Sequence, residues 1–149
     1  MTTTASPALN PRTIALAHYA GRALLEGVLA RHGATFEQSV TLRAVTAAGG
    51  SVGRGELVAE VTGSLKADEA AVHAVIEQLT AARLLQAQGD LIELTDAGIE
   101  LFESTTAETA GISARVYDGI PAEDLAVAGR VLTLITGRAN AELGRQQAQ

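Results

Sequence analysis

Three histidines (His18, His32 and His73), no cysteine, and no serine set with a histidine and a carboxylate leave this chain little with which to make or break a covalent bond. The histidines are too scattered to meet a metal at ligand spacing. A chain without cysteine has neither a thiol nucleophile nor a disulfide frame. Gly49-Gly50-Ser51-Val52-Gly53 lacks the lysine and the spacing of a phosphate-cradling loop. No enzyme, metal or cofactor is expected. The side chains offer instead a set of donors and acceptors: Arg54, Ser64, Lys66, Asp68, Glu69, His73, Gln86 and Gln88. Cations and hydroxyls of this kind hold phosphate oxygens, and a carboxylate such as Asp68 or Glu69 can accept from cytosine N4. That is the chemistry of reading a double helix. Each residue also has a plainer role: Asp68 and Glu69 as acidic residues favoured at a helix start, the others as solvated surface.

The elements that must position these residues lie between positions 57 and 101. Val72, Val75, Ile76 and Leu79 recur at helical spacing. Residues 84–88 and 91–94 are short runs joined by Gly89-Asp90, a two-residue hairpin turn. Thr95 can cap the helix that follows. Helix, helix, hairpin, helix is the order of a winged helix-turn-helix. The spacing predicts its first helix over 53–61, a turn at Thr62-Gly63-Ser64, and its second helix over 66–83. Upstream, Asn10-Pro11 starts a helix over 12–31 that His32-Gly33 ends. Thr35 and Gln38 form a capping box for another helix that stops at Gly49-Gly50. Ser51-Val52 is a candidate third strand for the hairpin. Downstream, a helix runs from Thr95 past Ala110, with a bend expected around Gly111. Asp118-Gly119-Ile120-Pro121 breaks it, and a last helix begins near Pro121.

A chain of 149 residues with 47% hydrophobic and 19% charged residues is globular. With only 3% aromatics its core is Ala, Leu, Val and Ile, which favours packed helices. No apolar run reaches the roughly 18 residues of a membrane span, and Met1–Arg12 lacks the charged n-region and apolar h-region of a signal peptide, so a cytoplasmic location and no membrane partner are expected. Residues 1–10 read as a disordered lead-in and 144–149 as a disordered tail. The end helices carry apolar stripes that a compact centre cannot cover: Ile14 and Leu16 on the first, Leu125, Leu132 and Ile135 on the last. Surplus faces at both ends predict a homodimer. Charge is uneven. Positions 35–100 hold four basic residues (Arg43, Arg54, Lys66, Arg83) and ten acidic ones, which accounts for the chain's whole net charge of −6.

Over roughly residues 11–143 the pattern resembles the MarR family of transcription regulators. The most specific piece is Leu91-Ile92-Glu93-Leu94-Thr95-Asp96-Ala97-Gly98, similar to the family's wing strand running into Leu-Thr-x-x-Gly and a long helix. Residues 72–85 are similar to its recognition helix, and Ile120-Pro121-Ala122-Glu123-Asp124-Leu125 to the start of its final dimerisation helix. The resemblance implies a mainly α fold with a small β-hairpin wing: a winged helix-turn-helix (35–98) flanked by a dimerisation helix at the N-terminus (11–34) and dimerisation helices at the C-terminus (99–143). It also implies a homodimer reading a pseudo-palindromic double-stranded DNA operator, and a small aromatic ligand held where His18, Tyr19, Phe36 and Arg43 lie. Two positions depart from the family pattern. Ala74 stands where the recognition helix usually carries an arginine, and the Gly89-Asp90 turn replaces a longer wing tip with an Asp-x-Arg motif. Both changes remove cations that would meet phosphate. The alternative is therefore a ligand- or protein-binding module of the same fold that has lost DNA recognition.

Overall fold

The computed structural model describes residues 7–149, so positions 1–6 of the expected N-terminal lead-in lie outside it. The chain is mostly helical, with a small antiparallel sheet. It divides into two compact units, Met1–Gly111 and Ile112–Gln149.

In the first unit, α1 (Pro11–Arg31) begins where the Asn10 side chain accepts from the Thr13 amide at 2.9 Å. The expected capping box opens α2 (Phe36–Ala47): the Gln38 amide donates to the Thr35 hydroxyl at 3.2 Å, and the Thr35 amide to the Gln38 side chain at 3.1 Å. A short strand β1 (Ser51–Gly53) leads into α3 (Arg54–Leu65) and α4 (Glu69–Ala81). The hairpin β2 (Leu85–Gln88) and β3 (Leu91–Leu94) turns at Gly89, whose φ of 58° suits a residue without Cβ. Strand order is β1-β3-β2, with Val52 opposite Ile92 and Ala87 opposite Ile92 on its other side, so Ser51-Val52 does join the hairpin.

The core gathers Leu42 and Val45 from α2, Leu57, Val58 and Val61 from α3, Val72, Ile76 and Leu79 from α4, and Leu85 and Ile92 from the wing. Burying each such side chain contributes about 1.5–3 kcal/mol, so the wing root is fixed by the same packing that seats α3 and α4.

The α3–α4 corner differs from the sequence expectation. Helix α3 continues through Thr62-Gly63-Ser64 to Leu65. Thr62 is accommodated because its hydroxyl donates back to the Val58 carbonyl at 2.8 Å, and Leu65, one turn beyond buried Val61, packs against the core. The chain reverses at Lys66, in the left-handed region at φ 55°. Asp68 then caps α4 by accepting from the Ala71 amide at 2.9 Å. Helix α4 therefore starts at Glu69 rather than at Lys66 and ends at Ala81, before Arg83 at φ 62°.

Helix α5 (Asp96–Tyr117) runs through Gly111 without interruption and crosses into the second unit. Its start is an unusually close approach. A Cβ on Gly98 would lie 2.1 Å from the Leu84 carbonyl oxygen, while the Thr95 hydroxyl accepts from the Gly98 amide at 3.0 Å and donates to the Arg83 carbonyl at 2.7 Å. Farther along, Glu108 accepts from Arg31 at 2.9 Å and meets His32 at 3.2 Å, tying this part of α5 to the end of α1. The hydrogen bonds from Arg31 and His32 hold the Glu108 carboxyl below the ordinary carboxylate range.

The second unit holds α6 (Ala122–Gln147), which follows a turn at Gly119 and has no buried residue. It continues past Gly144, where the tail was expected to begin.

Gly98→Ala is expected to cost about 3 kcal/mol and lower Tm by on the order of 10 °C, since backbone must move. Gly63→Ala, in a helix with no atom near its added Cβ, is expected to gain up to about 1 kcal/mol. Thermal melts of the two variants check this, and an unchanged Tm for Gly98→Ala would contradict it. For Glu108, a lowered native pKa means stability present above the ordinary carboxylate range and lost as pH falls through the lowered value. The Tm gap between wild type and Glu108→Gln should be open at neutral pH and close in acid.

Candidate nucleic-acid interface

Helix α4 buries Val72, Ile76 and Leu79 and turns the opposite face outward. At i, i+4, i+7 and i+11 that face shows Ala70, Ala74, Glu77 and Ala81, all exposed. Three of the four are methyl groups, so the face is smooth, and its central polar group is a carboxylate. His73 sits at the edge of the same face, half-buried.

Arg54 reaches this edge from the start of α3. Its Nη2 donates to Glu77 Oε1 at 2.7 Å, and its Nε–H donates to His73 Nδ1 at 3.3 Å. As the acceptor, the His73 ring carries its proton on Nε2. The backbone amide of Arg54 donates to the Asp90 carbonyl in the hairpin turn at 2.7 Å. One residue thus links α3, α4 and the wing. Glu77 was not among the residues expected to act here. Its place four residues after His73 puts the two on one face, but nothing in the sequence signals a partner 23 positions away.

The other expected residues are more dispersed. Lys66 forms the α3–α4 turn instead of heading α4, and its ammonium donates to the Gly63 carbonyl. Ser64 lies on α3, 3.4 Å from the Glu60 carboxylate. Asp68 is spent as the cap of α4, and Glu69 is exposed in its first turn, which also suits the helix dipole. On the wing, Gln86 donates to Glu93 across the sheet at 3.1 Å, and Gln88 is exposed beside the turn. Arg54, His73 and the hairpin turn are therefore brought together, while Ser64, Lys66, Gln86 and Gln88 are held at separate points.

The four residues expected to meet a ligand lie on α1 and α2. His18 and Tyr19 are neighbours on the exposed side of α1, their rings 6.1 Å apart, and Tyr19 is 64% exposed. Phe36 is covered by the Arg22 guanidinium, 4.1 Å above the ring, and Arg22 pairs in turn with Glu26 and Glu37. Arg43 faces a groove between α2 and α3. That groove comprises adjoining hollows of about 400 and about 330 Å³ walled by Ala44, Ala47 and Glu60. The spacing Ala44, Ala47, Ala48 is the signal that could have revealed it. Among the expected dimer contacts, Leu16, Leu132 and Ile135 are exposed, and Ile14 and Leu125 are half-buried.

Among the described residues there is no group of three or more His, Asp or Glu placed to hold a metal ion, and no helix long and apolar enough to cross a membrane.

A non-glycine residue in the left-handed region carries strain of about 1 kcal/mol. Lys66→Gly is therefore expected to raise stability by up to about 1 kcal/mol in a denaturant titration; a loss would show that the Lys66–Gly63 contact outweighs the strain.

No family model matches the chain, and no curated protein matches it. Solved structures do. The reduced form of MarR from E. coli superposes with a TM-score of 0.69 at 17% identity, covering 91% of this chain and 98% of that one. A MarR-family transcriptional regulator from Rhodococcus sp. RHA1 gives 0.72 at 17% identity, covering 88% and 96%. The organohalide-sensing regulator RdhR, bound to 2,4-dichlorophenol, gives 0.74 at 13% identity, covering 94% and 90%. At such identities the likeness is one of fold, and it extends over nearly the whole of each chain: this protein has the winged-helix fold of the MarR-family transcription regulators.

Proposed function

We propose that the protein is a homodimeric, DNA-binding transcription regulator that responds to a small aromatic ligand, and not an enzyme. The observation that carries this reading is the α3–α4 pair with its wing, packed on one core, in a chain whose fold superposes on MarR-family regulators over nearly its whole length. Helix α4 enters the major groove of a half-site, and the hairpin meets the adjacent backbone. Residues 35–98 form the reading lobe, and residues 11–34 and 99–143 supply the dimer contacts.

The dimer draws support from surface that one copy leaves open. On α1, Leu16, Tyr19 and Leu24 are exposed. On α6, a helix of 26 residues without a buried side chain, Val127, Leu132, Leu134, Ile135 and Leu143 are exposed. Such a helix gains its stability from packing an apolar stripe, and a second copy provides the partner. The ligand reading draws support from the phenol-bound neighbour and from the aromatic residues Tyr19 and Phe36 on α1 and α2.

A second reading, a protein- or ligand-binding module of this fold without DNA recognition, is favoured by the face of α4 itself, where methyl groups and Glu77 stand and no cation does.

Titrating a labelled duplex from upstream of the protein's own coding region against an unrelated duplex separates the two. Sub-micromolar preference for the upstream duplex, weakening as salt rises, is expected. No binding even at about 50 mM salt would favour the second reading. In parallel, Leu132→Asp is expected to give a monomer by light scattering. An unchanged dimer would place the interface elsewhere.

A further inference from the structure

The DNA-reading function proposed above requires cations at the surface of α4, yet the one guanidinium that reaches that surface among the described residues is already engaged. We propose that Glu77 holds Arg54 in the DNA-free protein as an internal stand-in for a phosphate, and that DNA docks by displacing Glu77 from it.

The geometry suits an exchange. The Arg54 backbone is fixed to the hairpin turn through the Asp90 carbonyl, so its guanidinium stays between the wing and α4 whatever its side chain binds. Its side chain is 32% exposed and that of Glu77 is 65% exposed, so the carboxylate stands on the solvent side, where a phosphate would approach. Carboxylate and phosphodiester offer a guanidinium the same thing, a pair of anionic oxygens. Glu77 and His73 use two of the five N–H groups of Arg54, and the other three have no partner among the described residues. An exposed pair is weak enough to be traded for a phosphate. The remaining cations of the lobe cannot take over this position: Lys66 is turned onto Gly63, Arg43 faces the α2–α3 groove, and Arg83 lies beyond the end of α4.

Displacement has a thermodynamic signature. When Arg54 moves to a phosphate, the DNA releases a counterion, but the freed Glu77 takes up about one cation beside the duplex. Net ion release per subunit is therefore smaller by about one than for an unpaired arginine. This inference rests on the DNA-binding reading, and its test separates the two.

Anisotropy titrations of a labelled mixed-sequence duplex with the full-length protein, over about 20–200 mM salt, compare wild type, Arg54→Gln, Glu77→Gln and the double variant. Glu69→Gln serves as the reference for loss of a carboxylate from α4 without contact to Arg54. Thermal melts confirm that each variant is folded. Glu77→Gln is expected to bind about three- to fivefold tighter at low salt, with a slope of log K against log salt steeper by up to about 0.9 per subunit. Arg54→Gln alone is expected to change affinity less than about twofold, and with Arg54 already replaced Glu77→Gln is expected to give only the smaller gain that Glu69→Gln gives, that of losing one nearby carboxylate. If Glu77→Gln gives its full gain in the double variant as well, Glu77 acts only as a nearby charge and the proposal is overturned while DNA binding stands. If no variant binds DNA at the lowest salt, the DNA-binding reading falls, and the proposal with it.

Discussion

The arrangement of this lobe depends on one crowded corner, where the chain leaves α4 for the wing and returns from it into α5. The Leu84 carbonyl accepts from the Thr95 amide at 3.2 Å and lies so near Gly98 that no side chain fits there. The Thr95 hydroxyl serves both sides, donating to Arg83 and accepting from Gly98. Because both ends of the hairpin are gripped in one place, the wing cannot swing independently of α4. The Arg54–Asp90 backbone bond pins its far end in the same way. The proposed DNA-reading role needs that rigidity, since the contacts of one element fix the register of the other.

Electrostatics gives the lobe its individual character. A surface pair such as Arg54–Glu77 adds at most about 1 kcal/mol to folding, too little to explain a carboxylate in the middle of an exposed helix face by stability alone. Its effect on binding is larger in proportion, because each phosphate that the lobe grips or fails to grip changes both affinity and its salt dependence. With ten acidic residues against four basic ones between positions 35 and 100, the lobe repels DNA at long range. In the proposed DNA-binding role the lobe relies on a few short contacts, and the Arg54–Glu77 pair sets how much one of them contributes.

Much of the fold is legible in the sequence because it is written in local rules. The Thr35–Gln38 box, the Asn10-Pro11 start, the Gly89 turn and the Val72–Ile76–Leu79 stripe each need only a few adjacent residues to be recognised. The α3–α4 corner is not legible in the same way. Thr62-Gly63-Ser64 has turn chemistry, but core packing by Leu65 overrides it, and the left-handed residue is a lysine, which no propensity favours. The site is less legible than the fold. Arg54 and His73 can be picked out as polar residues, but that they meet each other and Glu77 depends on how α3 crosses α4. Arg22 covering Phe36 is hidden for the same reason, since the two lie on different helices and only tertiary packing stacks them.

In the proposed function DNA is met by α4 and the wing of this acidic lobe, around Arg54. Hydrogen–deuterium exchange on the full-length protein, with and without its upstream duplex, tests it most directly. Slowed exchange on DNA binding is expected in peptides covering Arg54, α4 and the β2–β3 hairpin, with the α2–α3 groove unchanged. Protection confined to that groove, or none anywhere at a duplex concentration that saturates binding, would contradict it.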